Sequence, residues 1–328
     1  MTNPRVRITS VLATLALAVT LGMIPSSPAQ AKPSVKDVQA RVDTLFHEAE
    51  QASERYNDAK IELDHLKQDL HSLRSDESRE DKSLDGTREE VRVAVLRQYS
   101  GASFNTFSKV ASATNPEAFL QQMSTVSSFQ QLQQGMLSDY QTGLKALSIR
   151  SGATQARLDQ VAATEKQLAD EKATIDQNLA DAKKLLGRLK EEERQQVLSR
   201  GGDVRLPTNV PVSGRASAAV GYAMAQVGDA YVYGAAGPSA FDCSGLTMMA
   251  WAQAGVSLPH SSSAQYGSGT HIAASDLRPG DLVFYYSPIS HVGMYIGNGM
   301  IVHAANPGSG VTVAPLYSMP YVGAVRPG

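Results

Sequence analysis

The sequence predicts an α+β protein built in two parts, a long antiparallel α-helical coiled-coil hairpin followed by a mixed domain of roughly 110 residues. Three observations predict it. Apolar or small residues step by threes and fours through two segments of matched length. The composition changes after Arg200: the last Lys is Lys190 and the last Glu is Glu193, while nine of the twelve Tyr and the only Trp lie beyond. That last third also orders its apolar runs as a helix, a short strand, a second helix and then several strands separated by Gly and Pro turns.

Residues 1–31 carry Arg5 and Arg7, an apolar run from about Val11 to Ile24, and Ala29-Gln30-Ala31. This is the layout of a secretory signal peptide cleaved after Ala31, an uncleaved anchor being the alternative. The run falls short of the roughly 20 apolar residues of a membrane span, and no other stretch approaches that length. Export implies a protein that is secreted to the cell surface or cell wall. The net charge of −2 gives no whole-chain reason to expect nucleic acid or an anionic membrane as partner.

Residues 32–197 read as the hairpin. The first seam runs Val35, Val38, Val42, Leu45, Ala49, Ala52, Tyr56, Ala59, Leu63, Leu66, Leu70 and Leu73, then through Glu77 and Glu80 to Leu84, Val91 and Ala94. The second runs from Leu137, Tyr140, Leu144 and Leu147 to Leu179, Ala182, Leu186 and Leu189. At 1.5 Å per residue each arm extends roughly 90 Å, so an antiparallel hairpin is the economical reading. Heptads alone also fit a parallel homodimer. His47, His65 and His71 read as surface or flank residues, and nothing on the arms resembles chemistry. Between the arms, residues 99–129 concentrate Phe104, Phe107, Val110, Phe119, Leu120, Met123, Val126 and Phe129, with Asn115-Pro116-Glu117 as a helix start. They form either a helical cap on the tip or a partner-binding lobe, since an apolar cluster at the end of a rod has little core to join. Residues 198–215 read as a linker and residues 216–328 as the second domain.

Chemistry centres on Cys243, the only cysteine. It stands between the strand-like Tyr231-Val232-Tyr233 and a helical run beginning near Ser244. An odd thiol in an exported chain is either reactive or paired between molecules. At a helix N-terminus the dipole and free N–H groups favour thiolate, which suits a nucleophile. The plain alternative is a buried, inert cysteine. Four histidines follow: His260, His271, His291 and His303. His291 opens one strand and His303 sits in the next, with Gly297-Asn298-Gly299 between them. A two-residue Asn-Gly turn pairs Gly297 with Met300 and leaves the two imidazoles on opposite faces. A three-residue loop, or a bulge, puts them on one face as diagonal neighbours.

An ordered set of short stretches carries a resemblance: Gln226-Val227-Gly228, Tyr231-Val232-Tyr233-Gly234, Asp242-Cys243-Ser244-Gly245-Leu246, Leu258-Pro259-His260-Ser261-Ser262, Arg278-Pro279-Gly280-Asp281-Leu282-Val283-Phe284, His291-Val292-Gly293-Met294-Tyr295-Ile296-Gly297 and His303-Ala304. Together they resemble the NlpC-type peptidoglycan endopeptidases, papain-like cysteine peptidases of bacterial cell walls. The resemblance implies Cys243 as nucleophile, His291 as base and His303 as the third, orienting residue. It places Tyr231 in the active-site lining, with Asp242, Ser244 and Ser262 as further substrate-binding candidates, and part of the oxyanion on the backbone N–H of Cys243. Asp229-Ala230 departs from the more usual Lys-Pro, and Tyr233 stands where Trp is frequent. His260 and His271 fall outside the triad positions and read as structural or substrate-facing. No cofactor is implied; a zinc site of Cys243, His291 and His303 would lack the usual close ligand pairs.

The resemblance implies hydrolysis of peptidoglycan stem peptides, at the bond between D-γ-glutamate and meso-diaminopimelate (or lysine). The hairpin resembles those of division hydrolases controlled by a membrane complex of FtsE–FtsX type, here gripping the lobe at 99–129. The coil is expected to occlude the Cys243 cleft until such a partner releases it. The rival readings are an amidase or acyltransferase on the same scaffold, and a non-catalytic adaptor that binds wall.

Overall fold

A computed structural model of the chain describes residues 34–99, 115–198 and 214–328. The expected signal peptide at 1–31, residues 100–114 of the expected lobe and residues 199–213 of the expected linker lie outside the described residues.

Helix α1, Val35–Tyr99, and helix α2, Pro116–Leu186, form the hairpin. As α1 numbers rise their α2 partners fall, from Arg55–Glu171 through Lys67–Glu165 and Asp69–Arg157 to Glu80–Arg150. The arms are therefore antiparallel within one chain, as expected. The heptad residues Val42, Leu45, Ala49, Ala52, Leu63, Leu66 and Leu70 are buried, which accounts for the association. The ion pairs are exposed, so each is worth no more than about 1 kcal/mol and mainly sets register. Pro116 is the first residue of α2, where its missing N–H costs nothing. Residues 116–129 are thus the opening turns of the second arm, and Phe119, Leu120, Met123 and Phe129 on them are exposed. A short helix α3, Glu191–Leu198, folds back so that Val197 joins Val38, Val42, Leu45, Phe46 and Leu186 in a local core.

The C-terminal domain starts with helix α4, Arg215–Ala225. Two short parallel strands follow, β1 at Ala230–Tyr231 and β2 at Ala240–Phe241, and then helix α5, Cys243–Ala252, and helix α6, Ser262–Tyr266. Six strands complete the domain: β3 Thr270–Ile272, β4 Leu282–Tyr285, β5 His291–Gly297, β6 Met300–Asn306, β7 Gly310–Pro315 and β8 Tyr321–Arg326. They form one antiparallel sheet in the order β3-β8-β4-β5-β6-β7. Strand alternation divides its side chains between two cores. Leu282, Phe284, Val292, Met294, Val302 and Ala304 pack with Cys243, Leu246, Ala250 and Trp251 of α5. Val283, Tyr285, Ile301 and Ala324 pack on the other face with Leu316. The α+β expectation holds, and α5 delivers its first turn to the middle of the sheet.

Candidate active site

Asp242 caps the N-terminus of α5 and so sets where Cys243 points. Its Oδ1 accepts the Gly245 N–H at 2.6 Å and lies 2.8 Å from His260 Nε2, while its Oδ2 accepts the Gly234 N–H at 2.9 Å. The close approach explains the glycine at 245: a Cβ there would stand 2.3 Å from the carbonyl oxygen of Ala235. His260 therefore holds the cap. Burial works against its cation, but the Asp242 hydrogen bond and charge outweigh that and raise its pKa. His271, on β3, packs edge-on against Tyr266 of α6, in a structural place.

The hairpin of β5 and β6 resolves the parity question through a bulge. Asn298 and Gly299 both have positive φ, 55° and 70°, and close a two-residue turn that pairs Gly297 with Met300. The register then shifts between Tyr295 and Gly297, so that Tyr295 faces Ile301 and Met294 faces Val302. Ile296 is the extra residue, and it returns His291 and His303 to one face. Their Nε2 and Nδ1 atoms lie 2.7 Å apart. Gly293 leaves room for this pairing, since a Cβ on it would sit 3.3 Å from the Cβ of His303.

With Nε2 of His291 turned to His303, its Nδ1 is the nitrogen left for Cys243. A ring nitrogen of His291, the thiol sulfur and a carboxylate oxygen of Glu50 all lie within 4.8 Å of one another. That carboxylate comes from α1, which crosses the site. Glu50 Oε1 is 2.6 Å from His291 Nδ1. Glu54 accepts hydrogen bonds from Ser244 Oγ at 2.9 Å, the Ser262 N–H at 2.5 Å and the Cys243 thiol at 3.6 Å. Asn57 donates to Asp242 at 3.4 Å, Asp58 accepts from Ser261 and Ser263, and the Tyr233 hydroxyl donates to the Phe46 carbonyl at 2.9 Å. The result is that Cys243 and His291 have no exposed surface.

Every site residue named from the sequence lies in this region. Ser262 Oγ is 3.6 Å from the sulfur, and Tyr231 is buried edge-to-face against Tyr233. Beside these two tyrosines a cavity of about 540 Å³ opens between hairpin and domain, also lined by Tyr56, Lys60 and Lys183. Two expectations need correction. His47 is no simple flank residue, because its ring packs 4.2 Å from that of Tyr286 in the C-terminal domain. Nor is the arm free of polar contact with the site: Glu50, Glu54, Asn57 and Asp58 were missed. Their only signal was a second stripe at 47, 50, 54 and 57–58, offset from the apolar seam.

The thiol is also not in the state its helix position predicts. Burial, then the charges of Glu54, Glu50 and Asp242, push the Cys243 pKa well up. Desolvation and like charge here exceed the pull of the helix N-terminus. For the same reasons, burial first and the Asp242 charge second, the Glu54 carboxyl is raised to about 8. Burial likewise raises the Tyr231 phenol.

Comparison with known proteins places residues 228–324 in the NlpC/P60 family. A probable endopeptidase of Mycobacterium tuberculosis, Rv2190c, is 48% identical over 120 residues, 36% of this chain and 31% of its own length. Probable endopeptidase Cgl2188 of Corynebacterium glutamicum is 45% identical over 116 residues, 35% of this chain and 56% of its own. The solved NlpC/p60 domain of the peptidoglycan hydrolase SagA is 35% identical, with 34% of this chain matched to 97% of that one at a TM-score of 0.32. The chain thus spans about a third to a half of the curated relatives it matches.

Proposed function

We propose that this chain, which belongs to the NlpC/P60 family through residues 228–324, is an exported cysteine endopeptidase that hydrolyses peptidoglycan stem peptides. The observation that carries the reading is the line from Cys243 at the first turn of α5, through His291, to His303 Nδ1 at 2.7 Å. In that arrangement Nδ1 of His291 takes the thiol proton as sulfur attacks the scissile carbonyl, and returns it to the leaving amine. His303 accepts the Nε2–H of His291 and so holds the tautomer that leaves Nδ1 free. The oxyanion is held in part by the Cys243 backbone N–H, and water then cleaves the thioester with His291 again as base. Tyr231, Asp242, Ser244 and Ser262 surround the sulfur as substrate contacts or their supports. The favoured bond is that between D-γ-glutamate and meso-diaminopimelate.

Mass spectrometry of fragments released from purified peptidoglycan by residues 214–328 tests this. The expected product is a peptide with a newly freed amino group on diaminopimelate. Release of whole stem peptides from glycan would make the protein an amidase instead. Wall binding with no fragments, unchanged by Cys243→Ala, would make it an adaptor.

A second element of the proposal is control by the hairpin. It is supported by three α1 side chains, Glu54, Glu50 and Asn57, laid on the nucleophile, its base and its helix cap, with Asp58 on Ser261 and Ser263 beside them. Opening requires a partner that binds the released form better than the covered one, and a 100-fold preference supplies about 2.7 kcal/mol. The distal end of the rod, where Phe119, Leu120, Met123 and Phe129 are exposed beside Val95 and Leu96, offers the grip. A membrane complex of FtsE–FtsX type is the partner proposed for it.

A further inference from the structure

The covered cleft holds an excess of acidic groups. Glu50, Glu54, Asp242 and Cys243 are each 5% exposed or less. The titratable groups facing them are His291, His303, His260 and Tyr231 from the domain, with His47, Asp58 and Lys60 on α1, His47 Nδ1 lying 3.5 Å from Glu50 Oε2. Buried carboxylates are paired with positive charge or keep their proton, as Glu54 does. Among the described residues, Glu50, Cys243 and His291 stand out as three different donors, carboxylate, thiol and imidazole, with their ligand atoms mutually within 4.8 Å. A second observation bears on what they hold. His291 turns Nε2 to His303 at 2.7 Å, which leaves Nδ1 in a hydrogen bond with Glu50 Oε1 at 2.6 Å. One proton shared between those two atoms closes the contact, and a divalent cation on the three donors would take that proton's place. An imidazole whose outer N–H is hydrogen-bonded and whose inner nitrogen meets a thiol and a carboxylate is the arrangement of a metal-bound histidine.

We propose that the covered form takes one zinc-class divalent cation on Cys243 Sγ, His291 Nδ1 and the Glu50 carboxylate, fastening α1 over the sulfur. This rests on the reading of α1 as the cover of a nucleophilic Cys243. The donor set is that of zinc, with bonds of about 2.3 Å to sulfur and about 2.0–2.1 Å to nitrogen and oxygen. Tetrahedral angles then separate nitrogen and oxygen by about 3.3 Å, so Glu50 draws back by about 0.7 Å from its present 2.6 Å. Charge closes: the thiolate and carboxylate neutralise the dication, and the thiol proton, with any proton on the imidazole, passes to solvent. The set differs from the one weighed in the sequence, because His303 faces the outer nitrogen of His291 and the third ligand comes from the hairpin. Cys243 and His291 belong to the domain and Glu50 to α1, so all three meet only when the cleft is covered. The metal therefore strengthens the cover by the factor that the cover strengthens metal binding.

The test uses the full chain, stripped with chelator and titrated with Co²⁺ and then Zn²⁺. One equivalent of Co²⁺ is expected to give a thiolate-to-metal charge-transfer band and tetrahedral visible bands, with proton release, all reversed by Zn²⁺ displacement. Glu50→Gln, which keeps the side-chain shape, is expected to retain the band but bind at least about tenfold more weakly. Cys243→Ser is expected to lose the band. A wild-type chain without the band, or a Glu50→Gln chain that binds as tightly, overturns the proposal. Iodoacetamide labelling of the metal-free chain reports the cover separately. A shielded thiol with no band overturns the metal alone, while a freely labelled thiol with unweakened Glu50→Gln binding overturns the cover and the metal together.

Discussion

Cys243 lies in two opposing fields. The first turn of α5 favours its thiolate, whereas burial, then the charges of Glu54 and Glu50 on α1 and of Asp242, favour its thiol. Taking α1 away removes its part of the second field, so in residues 214–328 the thiol is expected to titrate well below the ~8.5 of a free cysteine. Iodoacetamide labelling across pH measures it, and a midpoint near 8.5 would exclude thiolate activation. In the same fragment Cys243→Ala and His291→Ala are expected to abolish turnover. His303→Ala should lower it by roughly 10²- to 10⁴-fold, the scale for an orienting partner, and undiminished turnover would remove His303 from the site. Glu54 adds a pH dependence in the metal-free full chain. Its carboxyl is raised from 4.5 to about 8 when covered, so the proton favours the covered state. That contribution is complete below about pH 4.5 and is lost as pH rises through about 8. Cys243 labelling in the full chain should therefore accelerate across that window, and more so than in Glu54→Gln. A parallel pH profile in the two chains would remove Glu54 from the latch.

At the scale of elements, two short devices aim the chemistry. The Asp242 cap fixes the start of α5, and the Ile296 bulge fixes which face of β5 carries His291. Gly293 couples them to packing, because any side chain there meets Ile301 Cδ1 at 3.0 Å and His303 Cβ at 3.3 Å. Gly293→Ala is expected to destabilise the domain by about 1–3 kcal/mol, the usual scale of overpacking, and to lower turnover by displacing His303. Urea unfolding and turnover on the same sample check both effects. Normal turnover with normal stability would show that the neighbours absorb the methyl group.

The whole molecule joins a stiff rod to a site that the rod covers. Helix α1 gives its apolar seam to α2 and an adjoining polar stripe to the domain, so one helix serves two interfaces. Residues 214–328 should therefore cleave peptidoglycan at least about 100-fold faster than the full chain, the ratio of a 99:1 closed equilibrium. Equal specific activity would exclude the cover. Phe119→Asp at the far end should leave the resting full chain unchanged and weaken its binding to the membrane partner proposed above. Unaltered partner affinity would exclude that surface as the grip.

The sequence alone determined the features whose causes are local. Heptad steps specify the two arms, a proline starts α2, and Asn298-Gly299 makes the turn between β5 and β6. The order of short motifs identifies the residues that meet at the sulfur. What the tertiary structure decided depends on partners far along the chain. The bulge at Ile296 chooses between two pairings that the turn residues permit equally, and the choice is made by the sheet and α5 packed on it. Glu50 and Glu54 look like ordinary solvated residues of a charged helix; only the placement of α1 against residues some 190 to 240 positions away makes them buried neighbours of Cys243 and His291. The same placement reverses the direction of the thiol's pKa, because a helix N-terminus acts over one turn, whereas burial and like charge come from whatever surface the fold brings up against it.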